Sequence, residues 1–272
     1  MIYDKLYHLN ADSIVFTEEK LRSDGEGRCV WSFQNDQVEA AAFELDVAKR
    51  NLHLKTATGH LTSMTSGEVQ FSAEDLDWNH QDNHLILIGF PKVQDANFGT
   101  IASEQEIDLI LKENKLQKLS TRGPTELTSI KGHTLKTDGT LDVDAEKNIA
   151  VVHSHLQYSE DEMTLIADQA QIFYPDKVEL QGNIKIFSQE SHKGVADTLT
   201  YNPETRACIL KAHPGKKVLF TREQDKLALS ANEIHITYDP ITKEQQVKGI
   251  GHISLSLSPE EQNILNKVFH GT

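Results

Sequence analysis

The sequence predicts an all-β protein built from stacked repeats, each of which is a pair of antiparallel strands joined by a tight turn. Three observations predict this fold: a unit of about thirty residues recurs eight times between residues 11 and 257, apolar residues alternate within each unit, and turn-forming residues follow. Such a period is typical of repeat proteins, in which a unit buries its apolar face only against its neighbours. We therefore expect one elongated domain over residues 1–272. The copies are anchored, 29 to 35 residues apart, at Ala11, Ala40, Ala73, Ala102, Lys136, Ala167, Ala196 and Ala231.

The first strand of each repeat has apolar residues at every second position. This period of two is typical of a strand with one buried face. We expect the alternating residues to point inward and their neighbours, such as Asp77, Gln171 and Thr200, to point outward. The inward positions are Ile14, Phe16, Phe43, Leu45, Val47, Leu76, Trp78, Ile107, Leu109, Leu111, Leu141, Val143, Ala170, Ile172, Tyr174, Leu199, Tyr201, Ile234, Ile236 and Tyr238.

A short turn follows each first strand, and several of these turns carry proline beside Asn or Asp. Examples are Asn202-Pro203, Asp239-Pro240 and Pro175-Asp176. Proline presets the backbone for a type I turn, and a preceding Asn or Asp side chain can cap it. The turns therefore predict hairpins and antiparallel strands.

The returning strand often carries a glycine between two apolar halves, as at Gly89, Gly182 and Gly249. Glycine weakens a strand unless the chain bends there or approaches another backbone closely. We expect each long strand to bend at its glycine and to contribute to two facing sheets. The two sheets would enclose a trough lined by the alternating apolar residues.

Two segments depart from this pattern. Residues 103–119 also carry a helical spacing of apolar residues, so a strand and a helix both fit that segment. The tail begins with Ser258, Pro259 and Glu261, which supply an N-cap, a first-turn proline and a capping-box glutamate. We expect a helix over 259–269 that covers the last strand edge.

The composition argues against several functional classes. The net charge is −14, which disfavours binding to nucleic acid or to anionic membranes. No segment reaches the ~20 apolar residues of a membrane helix, and the first residues lack the pattern of a signal peptide. Cys29 and Cys208 lie far apart along a linear stack, so we expect two buried free thiols.

No group of residues predicts catalysis or a metal site. The sequence contains no nucleophile elbow, no glycine-rich phosphate loop and no zinc-binding helix motif. His153 with His155, and His80 with Asp82 and His84, lack a third ligand at a diagnostic spacing. We therefore expect packed or solvated histidines, no enzymatic activity and no cofactor.

The best repeats share a pattern: a small residue, Asp or Asn, a strand, a turn with Tyr and Pro, a second strand and Gly. It is carried by Ala196-Asp197 with Tyr201-Asn202-Pro203, by Ala167-Asp168 with Tyr174-Pro175 and Leu180-Gln181-Gly182, and by Ala231-Asn232 with Tyr238-Asp239-Pro240 and Val247-Lys248-Gly249. This pattern resembles the OstA-like repeat of the lipopolysaccharide-transport proteins, the family of LptA, LptC and the periplasmic part of LptD. The resemblance is good over 166–257 and looser over 11–165.

The resemblance implies a periplasmic antiparallel β-jellyroll, or β-taco, whose apolar interior holds the acyl chains of lipid A while the lipopolysaccharide head group stays at the open seam. It also implies edge-strand pairing with other jellyroll proteins of a transport bridge, or with further copies of the chain. The expected trough-lining residues are Phe43, Leu45, Leu76, Trp78, Ile172, Tyr174, Leu199, Tyr201, Ile234 and Ile236, and the candidate head-group contacts are Lys211, Lys216 and Lys217.

Two alternative functions stay open. The first is a scaffold of the same fold that has a filled core, binds no lipid and acts only through its sheet ends. In that case the basic stretch around Lys211 is a solvated loop. The second is a parallel β-helix enzyme that acts on polysaccharide, which the short proline-containing turns disfavour because they predict hairpins rather than parallel coils.

Overall fold

The computed structural model describes residues 8–23, 27–33, 36–63, 67–79, 81–113, 115–160, 163–173, 177–188, 192–222, 226–239, 241–242 and 245–256. Strands account for 73% of these residues and none of them lies in a helix, so the all-β prediction is confirmed. No helix in this part of the chain is long and apolar enough to cross a membrane. The chain divides into two compact units, residues 1–150 and 151–272.

The first unit contains β1 to β16. Their bounds are β1 (His8–Ala11), β2 (Ile14–Phe16), β3 (Lys20–Ser23), β4 (Cys29–Phe33), β5 (Asp36–Ala40), β6 (Ala42–Asp46), β7 (Asn51–Ser63), β8 (Gly67–Asn79), β9 (His84–Ile88), β10 (Lys92–Asp95), β11 (Gly99–Ser103), β12 (Glu106–Lys112), β13 (Lys115–Arg122), β14 (Thr125–Thr128), β15 (Thr134–Thr137) and β16 (Leu141–Asp144).

The second unit contains β18 to β28, and β17 (Ile149–Val152) crosses the boundary between the units. The bounds are β18 (Leu156–Glu160), β19 (Met163–Ala167), β20 (Gln169–Phe173), β21 (Lys177–Ser188), β22 (His192–Asn202), β23 (Ala207–Lys211), β24 (Val218–Arg222), β25 (Leu227–Ala231), β26 (Glu233–Tyr238), β27 (Gln245–Ile250) and β28 (Ser254–Ser256).

The strands of the first unit form two hydrogen-bonded layers that share the long strands β7 and β8. The first layer has the order β2-β3-β6-β7-β8-β9-β12-β13-β16. The second layer has the order β1-β4-β5-β7-β8-β10-β11-β14-β15. Residues 51–55 of β7 pair in the first layer and residues 57–63 pair in the second. One strand therefore serves both layers.

The second unit repeats this plan with β21 and β22 as the shared strands. Its first layer has the order β20-β21-β22-β23-β26-β27, and its second layer has the order β18-β19-β21-β22-β24-β25-β28. All of these pairs are antiparallel, as the hairpin turns predict.

The long strand β21 bends at its glycine, as expected, whereas β7 passes between the layers at Thr56, which has a φ of +52°, rather than at Gly59. The bend at Gly182 shows the geometry. Gly182 and Asn183 have φ values of +80° and +46°, and the pairing of β21 with β22 shifts register between Gln181 and Ile184. Opposite this bend the Asp168 N–H donates a hydrogen bond to the Gly182 carbonyl at 3.1 Å, and Asn183 Nδ2 donates to Asp168 Oδ2 at 2.7 Å. Asp168 thereby separates β19 from β20 at the point where β21 turns from one layer to the other.

The same polar contact recurs at the other bends. The Glu74 N–H donates to the Gly89 carbonyl at 3.3 Å, and the Asn232 N–H donates to the Gly251 carbonyl at 2.9 Å. The expected bend at Gly249 is therefore displaced: Gly249 lies inside β27, and the positive φ of +69° belongs to Gly251. We call the edge with these bends the corner side of each unit and the opposite edge, with the hairpin turns, the turn side.

The segment 103–119, for which the sequence also allowed a helix, forms the strands β12 and β13. Ile107, Leu109 and Leu111 are 0%, 0% and 5% exposed, so the period of two prevails over the helical spacing. The first-layer strands β9 and β13 on either side of β12 satisfy its backbone groups. The expected helix over 259–269 lies outside the described residues.

Candidate functional site

The expected trough-lining residues of the first strands point into the space between the layers. Their exposed fractions are 3% for Phe43, 0% for Leu76, 5% for Trp78, 1% for Leu199, 2% for Tyr201, 0% for Ile234 and 5% for Ile236. Leu45 and Ile172 are half-buried, and Tyr174 lies outside the described residues. Seven of the expected positions thus share one apolar interior face within their own unit.

The neighbours of these residues point the other way, as a period of two requires. Asp77 and Gln171 are half-buried and Thr200 is exposed. Asp77 lies on the outer face with His53, whose Nδ1 is 2.7 Å from Asp77 Oδ1. The sequence therefore predicted correctly the buried face of most first strands. The prediction was wrong for Ile14 and Phe16, which are 46% and 70% exposed on the edge strand β2, and for Val47, which is 47% exposed just after the end of β6.

The two layers of the second unit are joined across the interior by a buried polar cluster. Glu160 of the second layer accepts hydrogen bonds at Oε2 from the hydroxyl groups of Tyr158, at 3.0 Å, and of Tyr201, at 2.9 Å. Tyr158 belongs to the same strand as Glu160, whereas Tyr201 lies on the first layer. The rings of the two tyrosines meet edge to face, 6.5 Å apart. We call these three residues the Glu160 latch.

The Glu160 latch lies at the turn side of the second unit, because Glu160 is the last residue of β18 and Tyr201 the second-last of β22. Burial and the nearby Glu160 carboxylate raise the pKa of Tyr201, so its hydroxyl stays protonated and donates. Glu160 is 6% exposed. This cluster was not predicted from the sequence, although an acidic residue at an alternating, inward position of Leu156–Glu160 was a visible signal.

The turn side of the first unit is joined by backbone pairing instead. Here β7 and β13 form a parallel pair in which Thr62 and Ser63 of the second layer lie beside Lys115 and Leu116 of the first layer. Asp36 fixes the β7 end of this pairing, because its Oδ1 accepts hydrogen bonds from the Thr62 N–H at 2.8 Å and from the Thr62 hydroxyl at 3.0 Å. Burial raises the pKa of the Asp36 carboxyl.

The interior of the first unit is well filled near this pairing. Between Val93 and Ile101 of the second layer and Leu116 and Val143 of the first layer lies a cavity of about 10 Å³. A single water needs about 10–15 Å³, so the space is too small for an alkyl chain. A ligand between these layers would have to move them apart.

The three candidate head-group lysines lie on the corner side or close to it, away from the turn side, and each has an intramolecular partner. Lys211 Nζ is 3.4 Å from Glu233 Oε2, Lys216 Nζ is 3.1 Å from Asp197 Oδ1, and Lys217 Nζ donates to the His252 carbonyl. The His213 N–H and Lys216 hold the pKa of Asp197 below its usual value. The structure therefore does not bring these lysines to the turn side.

No group of three potential metal ligands occurs among the described residues. His155 Nδ1 lies 3.5 Å from Asp168 Oδ1, and His84 contacts Asp108, so each of these histidines faces a carboxylate. His80 lies outside the described residues. Cys29 and Cys208 are free and buried, as the sequence predicted.

In each unit the described residues thus enclose an apolar interior between two layers, with bent strands on the corner side. The connections across the turn side differ: a backbone pair in the first unit and the Glu160 latch in the second. No protein-family model matches the chain, and no curated protein matches it. Its family is therefore not assigned by similarity.

Proposed function

We propose that this protein is a periplasmic carrier of lipopolysaccharide that shelters the acyl chains of lipid A in the apolar space between its two layers. In this proposal the bent strands form the β-jellyroll, built from about eight repeats, that the resemblance to the OstA-like proteins implies. In this proposal the protein catalyses no reaction. It binds the lipid and passes it toward the outer membrane.

The observation that carries the proposal is the buried face of the first strands. Leu76, Leu199 and Ile236 belong to three different repeats, and each is at most 5% exposed on the inward face of a first layer. Apolar surface removed from water contributes about 25 cal/mol per Å², so long alkyl chains gain most from such a lining. In each unit two successive repeats carry a buried apolar residue three positions after the anchor, so the lining extends along the unit: Phe43 and Leu76 in the first, Leu199 and Ile234 in the second.

Entry of a lipid requires the layers to separate on the turn side, because bent strands connect them on the corner side. The second unit is the better place for entry. There the connection is a side-chain contact between Glu160 and Tyr201, whereas in the first unit β7 and β13 share backbone hydrogen bonds. Side chains change rotamer more easily than paired strands separate.

A second candidate function is a scaffold that binds no lipid and acts through its strand edges. The cavity of about 10 Å³ in the first unit favours it, since a filled core needs no ligand. Within the described residues β2 pairs only with β3 and carries Ile14 and Phe16, which are 46% and 70% exposed. Such an edge offers unpaired backbone groups to another jellyroll protein or to a further copy.

Site-specific photo-crosslinking to purified lipopolysaccharide separates the two functions. A photoreactive amino acid at Leu76, Leu199 or Ile236 is expected to capture lipopolysaccharide, because these positions face the interior. The matched controls Asp77 and Thr237 directly follow Leu76 and Ile236 in sequence and face outward, so they are expected to capture none.

Capture at the interior positions alone supports the carrier. Absence of capture at all three positions in a protein with an unchanged circular dichroism spectrum, or equal capture at the control positions, contradicts the carrier and favours the scaffold.

A further inference from the structure

A groove of about 340 Å³ lies on the outer face of the first layer in the second unit, away from the interior that the proposed function uses. It runs over β17, β20, β21 and β22. The described residues that line it belong to these four strands, except His153, which directly follows β17. Small-molecule sites span about 300–1,000 Å³, so the groove has the volume of a small site.

The groove is lined by outward side chains. Ala170, Leu180 and Leu199 also line it, but they are 4%, 2% and 1% exposed because their side chains point to the interior. By the period of two, the groove itself receives Gln169, Gln171, Glu179, Gln181, Thr198 and Thr200. Val151 and His153, which are not buried, complete the lining at its β17 edge.

The strand register arranges these side chains in two parallel rows. Gln169 pairs with Gln181, which pairs with Thr198 on the next strand. The second row is Gln171, Glu179 and Thr200. Adjacent strands lie about 4.8 Å apart, so each row presents polar groups at a regular short spacing.

Most of these groups are available to a ligand. The side chains of Gln169, Gln171, Gln181, Thr198 and Thr200 make no hydrogen bond with any residue that the structure describes. Each carboxamide both donates and accepts hydrogen bonds, and so does each hydroxyl group. The groove therefore offers five uncommitted side chains that match a ligand carrying many hydroxyl groups.

The charge in the groove selects among such ligands. The carboxylate of Glu179 lines the groove, and it forms an ion pair with Lys177 at 2.9 Å. The groove therefore offers no unpaired lysine or arginine to an anionic ligand, and the net charge of the chain, −14, repels one. An alkyl chain would leave the carboxamides without partners, which costs free energy.

We propose that this groove is a binding site for a neutral saccharide, held by hydrogen bonds from its hydroxyl groups to the two rows of carboxamide and hydroxyl side chains. The site is separate from the interior, so it is independent of whether the interior carries a lipid.

Isothermal titration calorimetry of the full chain with neutral hexasaccharides tests the proposal. The probes are cellohexaose, maltohexaose, mannohexaose and chitohexaose, and hexagalacturonate serves as the acidic counterpart. At least one neutral probe is expected to bind at millimolar concentration or below. Hexagalacturonate is expected not to bind, because the groove offers it no unpaired cation.

The variants Thr198→Val and Gln181→Leu remove hydrogen-bonding groups while retaining shape, and each is expected to weaken binding about tenfold, equivalent to about 1.4 kcal/mol. The matched control is Thr164→Val, the same substitution on the outer face of the second layer, which should leave binding unchanged. Shifts of the Gln181 side-chain amide signals in NMR spectra of the unmodified chain provide a second measurement that needs no variant.

Absence of binding by every neutral probe overturns the proposal. Equal binding of hexagalacturonate, unchanged affinity in both groove variants, or Gln181 signals that do not respond to a bound saccharide overturn it as well.

Discussion

At the scale of single residues, the bends at Gly89, Gly182 and Gly251 depend on a glycine that meets a polar side chain on the neighbouring strand. Gly182 has a φ of +80°, and a Cβ atom there would lie 2.5 Å from Asp168 Oδ2 and 3.0 Å from Asp168 Cβ. Two effects therefore disfavour any larger residue: the backbone conformation and the contact. The Asp after the small residue in the repeat pattern thus has a structural role at the corner.

The variant Gly182→Ala is expected to lower the free energy of unfolding by more than the ~1–2 kcal/mol that a positive φ costs an L-residue. Gly67→Ala is the matched control, since Gly67 has a φ of +84° and a Cβ there would meet nothing within 4 Å. Urea unfolding of both variants measures the difference. Equal losses in the two variants would show that the contact with Asp168 is unimportant.

The Glu160 latch gives a second prediction at this scale. Tyr201→Phe removes the hydrogen bond that crosses between the layers and leaves the buried Glu160 carboxylate with one fewer donor. We expect a loss of about 1–3 kcal/mol in the free energy of unfolding, the cost of an unsatisfied buried group. If the latch controls entry, the same variant also takes up a fluorescent fatty acid faster than the unmodified protein.

Tyr158→Phe serves as the control for the latch. It removes a hydrogen bond to the same Glu160 oxygen from within β18, so it does not disconnect the layers. Equal uptake rates in Tyr201→Phe, Tyr158→Phe and the unmodified protein would argue against a gating role.

At the scale of strands, the edges decide what the protein can associate with. The strand β1 pairs only with β4 and β2 only with β3 among the described residues, so both leave backbone groups unpaired on their other side. Exposed apolar residues next to unpaired backbone favour pairing with another strand, whereas lysine on an edge opposes it.

We therefore expect Ile14→Lys combined with Phe16→Lys to reduce concentration-dependent association in sedimentation velocity experiments. Phe90→Lys is the control, because Phe90 is 71% exposed but lies at a corner rather than on an edge strand. A similar reduction in both variants would indicate association through general apolar contact instead of strand pairing.

At the scale of the whole molecule, the two buried cysteine thiols make the free energy of unfolding depend on alkaline pH. Burial raises the pKa of the Cys208 thiol from 9.0 to about 12, and burial also raises the pKa of Cys29. Above pH 9 the unfolded chain releases these protons while the folded protein keeps them. The folded state then binds more protons than the unfolded state, so stability falls as pH rises.

The prediction is that the free energy of unfolding, measured with urea, decreases between about pH 8 and pH 11, by at most ~1.4 kcal/mol per pH unit for each group. Cys208→Ala is expected to lower stability by a constant amount below pH 9 and to make the alkaline decrease shallower. An identical pH dependence in the variant and the unmodified protein would contradict this origin.

The sequence by itself determined the all-β class, the antiparallel hairpins and the buried face of most first strands, because a period of two fixes which side chains share a face. Leu76, Leu199 and Ile236 follow from this rule. The sequence did not determine the face of the edge strand β2, whose Ile14 and Phe16 are exposed. Local backbone preferences also located the bend at Gly182, but not the bend of β7 at Thr56. The positive φ at Gly251 rather than Gly249 accompanies the contact of Gly251 with Asn232.

Only the tertiary structure decided which distant residues meet. Glu160 and Tyr201 are 41 positions apart, and their hydrogen bond requires a strand from each layer to end at the same side. The parallel pairing of β7 with β13, the corner-side location of Lys216 and the rows of the outer groove likewise depend on strand register and on the bends. The physical reason is that periodicity constrains each strand's faces, whereas contacts between strands depend on how the whole chain folds back on itself.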